Sequence, residues 1–420
     1  MRRPPATPLS AWVSDGTMSV ENQRYEDGTP AVRYPKRRVA LMFGYSGADF
    51  FGLQFNSDRP SVEGVLYSAC VKAKLVLPSN AVNPNKVGIN RAGRTDKGVS
   101  AARQVVSLKL MIPPEKDNTK VIKSLINLHL PKEIRVWNVV YVPPGFNART
   151  YCNSRKYEYF LPSFMLGKHH MSPDFTGCSG SRDVAPVTLE EQLSYRISSE
   201  RLAEFESTLK VFLGTHRYHN YSSGFKPEDR KSRRYLIEAS CEVIQLHGQE
   251  FMRVCLHGQS FILHQIRKMI AFLIVSMRYE TETDFILETF KFDRIQIPRA
   301  PGLGLFLEEP VFSNYNDLTS KKAMTVEDEN VDDQAVSKFK LLSVNDNEDE
   351  ITEFKQRVIY EKILEEDRSK AVFSEWTHLL DRFVHCFQFF GPRNANLSVE
   401  QRREVARILN GENCKEKIGL

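Results

Sequence analysis

Short apolar segments and amphipathic helices alternate between Val39 and Val142, in an order that leaves few folds open. Residues 39–45 form an apolar run of strand length. Pro60 and Ser61 then open a helix, with Ser61 as N-cap and Val62, Val65, Leu66, Ala69, Cys70 and Ala73 on one face. Val87-Gly88-Ile89 reads as a short strand, and Val106, Leu108 and Leu110 alternate in the next one. A second helix carries Val121, Ile122, Leu125 and Ile126, Pro131 ends it, and residues 134–142 make a fourth strand. The order is β-α-β-β-α-β, the split βαβ or ferredoxin-like pattern.

The second half repeats that order without obvious sequence repetition. Residues 155–161 are strand-like, a polar insertion covers 162–196, and Leu202, Phe205, Leu209 and Phe212 mark a helix. Tyr235, Ile237, Ala239, Cys241 and Val243 alternate with Leu236, Glu238, Ser240 and Glu242, and a turn at His247-Gly248-Gln249 leads on to Val254 and Leu256, which predicts a hairpin. Phe261, Ile262, Gln265, Ile266, Met269, Ile270 and Leu273 mark a further helix, and residues 303–307 fit a last strand. Two such units joined near residue 150 would leave a cleft between them, and domain interfaces commonly carry sites.

A chain of 420 residues is long for one core, so two subdomains, 35–150 and 151–315, with appendages are expected. Residues 1–34 read as a flexible leader. The acidic clusters Glu327-Asp328-Glu329 and Glu348-Asp349-Glu350 suggest an exposed linker over 316–350. In the helical extension, 351–420, Phe354, Val358, Tyr360, Val372, Phe373, Trp376, Leu379, Leu380 and Phe383 have the spacing of a face packed on the core.

Charge is distributed unevenly. Residues 316–420 hold 16 Lys/Arg against 21 Asp/Glu, so residues 1–315 hold 42 against 31. A basic body with scattered aromatics suits a polyanion such as nucleic acid. Seven scattered cysteines form neither a CxxC pair nor a disulfide framework, which points to a reducing compartment. No apolar run reaches membrane-spanning length, so no membrane association is expected. Pro4, Pro5 and Pro8 spoil a mitochondrial-type amphipathic leader. Lys36-Arg37-Arg38 is either part of a nuclear signal or the charged edge of a strand. The nucleus is the expected location, with the mitochondrion and cytoplasm as alternatives.

The stretch that carries chemistry is Arg91-Ala92-Gly93-Arg94-Thr95-Asp96-Lys97-Gly98-Val99-Ser100-Ala101. On spacing alone, Asp-Lys-Gly between strands is ordinary turn chemistry. The full string, however, resembles the catalytic loop of the TruA/Pus1 family of tRNA pseudouridine synthases. Further segments follow in the family's order. They are Phe146-Asn147-Ala148-Arg149, Arg155-Lys156-Tyr157-Glu158-Tyr159, Gly214-Thr215-His216, the stretch from Gly258 to Met269 containing Gln265-Ile266-Arg267, and Ala300-Pro301-Gly302-Leu303-Gly304-Leu305-Phe306-Leu307. Gly302 stands where the family usually has a second proline. The resemblance covers about residues 36–312, and it implies an α+β pseudouridine-synthase core with a central, mostly antiparallel sheet.

It also implies a reaction: the base–ribose C–N bond breaks, the uracil turns, and it rejoins through carbon. Asp96 is then the catalytic carboxylate, as nucleophile or as base. A buried carboxylate stays ionised only with a cation or hydrogen bonds beside it, and Arg267 is the candidate cation. Tyr157 would stack on the uracil, Arg94 would enter the space the extracted base leaves, and Leu305 would form an apolar wall. Arg149 and Lys156 are candidate phosphate contacts. Without the resemblance, Arg267 reads as a solvated helix-edge arginine and Tyr157 as a core aromatic. tRNA is the expected partner, with other structured RNAs as alternatives; the leader, insertion and extension point to the Pus1-like branch, and the resemblance implies a monomer, with a homodimer, as in bacterial relatives, as the alternative.

His216, His219 and His264 have types that suit zinc but no ligand pattern, so no metal is expected. The sequence has no Gly-rich phosphate loop either, so no nucleotide cofactor is expected. The competing readings are an RNA chaperone of the same fold without catalysis, and a metal-dependent RNA-processing enzyme.

Overall fold

The computed structural model describes residues 23–114, 118–169, 185–280, 285–291, 294–327, 340–343 and 347–383. Along the chain run β1 (Lys36–Tyr45), α1 (Val62–Lys72), α2 (Pro78–Ala81), β2 (Asn90–Arg91), β3 (Ser100–Met111), α3 (Asn118–Leu128), β4 (Ile134–Tyr141), α4 (Ala148–Tyr151) and β5 (Ser154–Pro162). There follow α5 (Leu189–Ser194), α6 (Ser199–Lys210), β6 (Gly214–Arg217), β7 (Arg233–Leu246), β8 (Gln249–Gly258), α7 (Gln265–Tyr279), α8 (Phe285–Glu288) and β9 (Leu305–Val311). The last are α9 (Ser313–Glu327), α10 (Glu348–Phe354), α11 (Glu361–Lys370) and α12 (Val372–Phe383). The class is α+β with mostly antiparallel pairing. Two compact units divide the chain: unit 1 is Met1–Arg155 with Phe306–Lys362, and unit 2 is Lys156–Leu305 with Ile363–Leu420.

In unit 1 the strand order is β4-β1-β3-β9, and β2 pairs with β3. All these pairs are antiparallel except β3–β9, which is parallel. Helix α1 starts as its sequence predicts, with Ser61 Oγ accepting from Gly64 N at 3.3 Å. Strand β3 is buried at 11 of its 12 positions, so the alternation of Val106, Leu108 and Leu110 does not mark one wet face. The covering layer comes from the far end of the sequence. Phe354 of α10 sits edge-on to Trp137 at 5.1 Å, and Arg103 of β3 pairs with Glu308 and Glu348.

Among the described residues, parts of the expected linker pack on unit 1, while Glu348, Asp349 and Glu350 stay exposed. Residues 313–327 are helical, Tyr315 is buried, and Asn316 holds the 340–343 segment through two hydrogen bonds with Leu342. Glu348 and Glu350 face cations, Arg103 and Lys123, while Ile351 and Phe354 bury beneath them. An acidic run reads as solvated until a complementary surface is supplied from elsewhere. The leader is also partly built in: Gln23 and Tyr25 are buried, and Arg24 bridges Pro30. Residues 1–22, the cluster residues Asp328 and Glu329, and everything after Phe383 lie outside the described residues. Val87-Gly88-Ile89 is not a strand. Pro84 and the Asn83 side chain set a 3-10 turn that ends on left-handed Gly88, and pairing begins only at Asn90.

In unit 2 the order is β5-β8-β7-β6. The predicted β7–β8 hairpin is present, but its inward face changes phase. Tyr235 and Ile237 are exposed and Leu236 is buried, whereas Ala239 is buried farther along, because a bulge interrupts the register between Leu236 and Glu238. The supposed polar insertion begins with a buried turn, Phe164, Met165 and Leu166, and ends with α5, which Thr188 and Glu191 close as a capping box. Helix α7 starts at Gln265, and Phe261 to His264 form a turn before it. Its far end is fixed by α12, where the Asp381 carboxylate accepts from Arg278 Nε at 2.7 Å and Nη2 at 2.6 Å, and from Tyr279. Phe373, Trp376 and Leu380 bury α12 along the predicted face.

Candidate active site

The Asp96 loop belongs to unit 1 and links β2 to β3. Its side chains alternate in a useful way: Arg94, Asp96 and Lys97 are exposed, while Ala92, Thr95 and Val99 are buried. Thr95 Oγ1 and the Tyr45 hydroxyl are 2.7 Å apart in a buried hydrogen bond. Thr95 O accepts from Leu53 N at 3.3 Å, and Phe50 O accepts from Gly98 N at 3.3 Å. Ala92 O accepts from Arg155 Nη2 at 2.8 Å, and Gly93 O from Gln104 Nε2 at 3.2 Å. The adjoining 47–53 segment lies so close that a Cβ on Gly47 would stand 2.2 Å from Val99 O. Gly98 takes φ +79°, a value that glycine adopts without strain. The backbone is thus fixed while Asp96 faces water.

A second device holds the loop from beneath. Glu63, in the first turn of α1, is fully buried. Its carboxylate accepts from Arg91 Nε at 2.5 Å and from Phe55 N at 2.8 Å, tying α1 to the loop's first residue and to the 50s segment. Sequence reasoning missed it, because an acid in a helix's first turn is expected to face solvent. Asp96 itself is exposed rather than buried, and among the described residues no ion pair within unit 1 includes it. Arg149, also in unit 1, is exposed in α4, whose start is fixed by Asn147 Oδ1 accepting from Arg149 N at 3.0 Å.

Unit 2 holds the other proposed residues, and the 300–305 segment links Arg267 to Leu305. Arg267 Nε donates to Ala300 O at 2.6 Å, and Ala300 N donates to Arg267 O at 3.1 Å. A Cβ on Gly302 would lie 3.4 Å from Arg267 Cζ, so Gly302 stands against the guanidinium. Leu305, half-buried, follows a turn in which Leu305 N donates to Gly302 O at 3.1 Å. On β5, Tyr159 is the core aromatic, fully buried with its hydroxyl donating to Pro301 O at 2.6 Å. Tyr157, two residues earlier on the same face, is half-buried and edge-on to Phe261 at 5.2 Å. Lys156, just before Tyr157, is half-buried.

Cations cluster at the start of α7. Left-handed His264 (φ 64°) has its ring 3.0 Å from Arg299 Nη1, and burial beside Arg299, Arg267 and Lys268 pulls its pKa down to about 4. Lys268 donates to Asn220 O at 3.1 Å, and burial, then Arg294 and Arg299, lowers its pKa to about 8. Trp376 Nε1 of α12 donates to Arg299 O at 3.1 Å. His216 stacks on Phe290 and His219 is buried, so the three histidines have separate settings. Among the described residues no group of three or more His, Cys, Asp or Glu could hold a metal.

The chain is α+β, carries an exposed aspartate on a braced loop in its first unit, and holds Tyr157, Arg267 and Leu305 in or at the edge of its second. The family model described as tRNA pseudouridine synthase matches residues 209–313. The chain is 33% identical to tRNA pseudouridine synthase 1 of Yarrowia lipolytica, over 87% of this chain and 78% of that protein. It is 32% identical to the pseudouridylate synthase 1 homolog of Mus musculus, over 86% and 77%, and 30% identical to tRNA pseudouridine synthase 1 of Schizosaccharomyces pombe, over 86% of each. The chain belongs to the TruA/Pus1 family of tRNA pseudouridine synthases, in its Pus1-like branch.

Proposed function

We propose that this chain isomerises uridines of tRNA to pseudouridine, using Asp96 as the essential carboxylate. The observation that carries this is the Asp96 loop, which presents an acid to solvent from a backbone held on both sides, in a chain of this family. Asp96 acts on the ribose or the uracil, as nucleophile or as base. Arg267 supplies the cation that favours the ionised acid, Tyr157 stacks on the uracil, and Leu305 gives an apolar wall. Base–aromatic stacking contributes roughly 1–3 kcal/mol. Arg94, exposed beside Asp96, enters the stack as the base leaves it, at a cost of about a few kcal/mol. Arg149 and Lys156 contact phosphate.

Each unit is, in this reading, a split βαβ module. The β4-β1-β3 order with β2 on β3 supports it for unit 1. The enzyme acts as a monomer in the nucleus. Lys36-Arg37-Arg38 is a poor carrier of the nuclear address, since Arg38 donates to Phe146 O, Gly88 O and Ser107 Oγ within β1's surroundings. The test is incubation with an unmodified tRNA transcript and an assay for pseudouridine. Product from wild type and none from Asp96→Ala supports the assignment; equal product from both removes Asp96 from the mechanism.

A further inference from the structure

Cross-strand pairs in unit 2 differ in charge from one ladder to the next. Between β7 and β8, Glu242 faces Arg253 in an ion pair, and Glu238 faces His257. Between β6 and β7, Arg217 faces Arg233 and His216 faces Arg234. Like charges directly opposite each other are a pairing that a ladder by itself does not favour, and Arg217 and Arg233 stand so. Arg230, on the short turn Arg230–Ser232 before β7, joins them around a notch of about 350 Å³ in which Glu228 is the one acid.

A second notch, of about 460 Å³, shares Arg217 and Arg233 and adds Thr215, His216 and Phe290. The His216 and Phe290 rings stack, with centroids 4.2 Å apart and planes within 17°. The His216 ring is fixed by Nε2 donating to Leu213 O at 2.8 Å. A guanidinium cluster thus adjoins a rigid aromatic wall, and none of these residues is assigned to the reaction.

We propose that the two notches form a docking site for one unpaired nucleotide step of the RNA, outside the reaction chemistry. Arg217, Arg230 and Arg233 hold the phosphate, and the base lies against the His216–Phe290 wall. Planar guanidinium forks match phosphate oxygens, and the anion removes the repulsion the ladder carries when empty. The proposal rests on the reading that the substrate is RNA.

The full chain, Arg233→Glu and the double variant Arg217→Ala/Arg233→Ala are compared for binding of an unmodified tRNA transcript and of oligouridylate across salt concentrations. Arg233→Glu weakens tRNA binding about tenfold at moderate salt, and the double variant lowers the log–log salt slope by about 2. KM rises while kcat at saturating tRNA is unchanged. The double variant unfolds at the same temperature as wild type or higher, because it loses a repulsion; a purely structural pair would lower it. Inorganic polyphosphate competes less well than oligouridylate, and equal competition would remove the base from the proposal. Unchanged affinity and slope overturn it, as does a loss of kcat at unchanged affinity. Should wild type make no pseudouridine while these substitutions still weaken RNA binding, the catalytic reading fails and the docking site stands.

Discussion

In the Asp96 loop the backbone is held and the side chains of Arg94 and Asp96 are exposed; at the start of α7 the side chains of His264, Arg267 and Lys268 are half-buried. Thr95, Gly47, Arg155 and Glu63 fix the loop and leave Asp96 and Arg94 in water. Around α7, Lys268, His264, Arg294 and Arg299 crowd together, and burial weakens the charged forms of Lys268 and His264. A carboxylate on a rigid, exposed support keeps its hydration. Cations held in a packed segment fix direction instead, at a cost in desolvation. Rigidity and charge are thus supplied by different means in the two units.

The largest break in that contrast is expected at Asp96. Because its side chain is exposed, Asp96→Ala should keep the wild-type unfolding midpoint, as surface substitutions do to within about 0.5 kcal/mol, while pseudouridine formation falls by more than about 10³-fold. A variant that lost stability along with activity would show the acid to be structural. Glu63→Ala should do the opposite. It leaves Arg91 and Phe55 N without their buried acceptor, and urea unfolding should report a loss of about 3–5 kcal/mol.

At α7 the contrast is sharpened by pH. Lys268 releases its proton in the folded protein near pH 8 but in the unfolded chain only near 10.5. Below pH 8 both states carry the charge and the burial cost is present in full. Between the two values the unfolded state binds more protons, so stability rises with pH. The gain between pH 7.5 and 9.5 should be about 2 kcal/mol larger in wild type than in Lys268→Met, at about 1.4 kcal/mol per unit, measured by urea unfolding at each pH. An equal gain in both would mean that Lys268 is solvated. The smallest effect is expected for Trp376→Phe, which keeps the packing of α12 and loses its bond to Arg299 O: about 1 kcal/mol of stability, with a drop in kcat greater than any change in KM.

The strands and helices that surround the site were legible where local rules decide them. Ser61 caps α1, Pro131 precedes β4, and His247-Gly248 turns the β7–β8 hairpin. The Arg94–Asp96 loop was legible through its string of residue types. The bulge after Leu236 was not, since one extra residue in a strand leaves no mark on composition, yet it reverses which face is inward. Glu63 was hidden for a similar reason: whether an acid at a helix start faces water depends on Arg91, 28 residues away.

By itself the sequence marked the cap of α1, the hairpin turn and the Asp96 loop, because periodicity and turn chemistry act over a few neighbouring residues. Only the tertiary structure decided that an acidic run near residue 348 docks on Arg103 and Lys123, that Glu63 braces the loop, and that Arg217 faces Arg233. Those facts depend on pairings between distant segments, and a charge has no settled environment until its partner arrives.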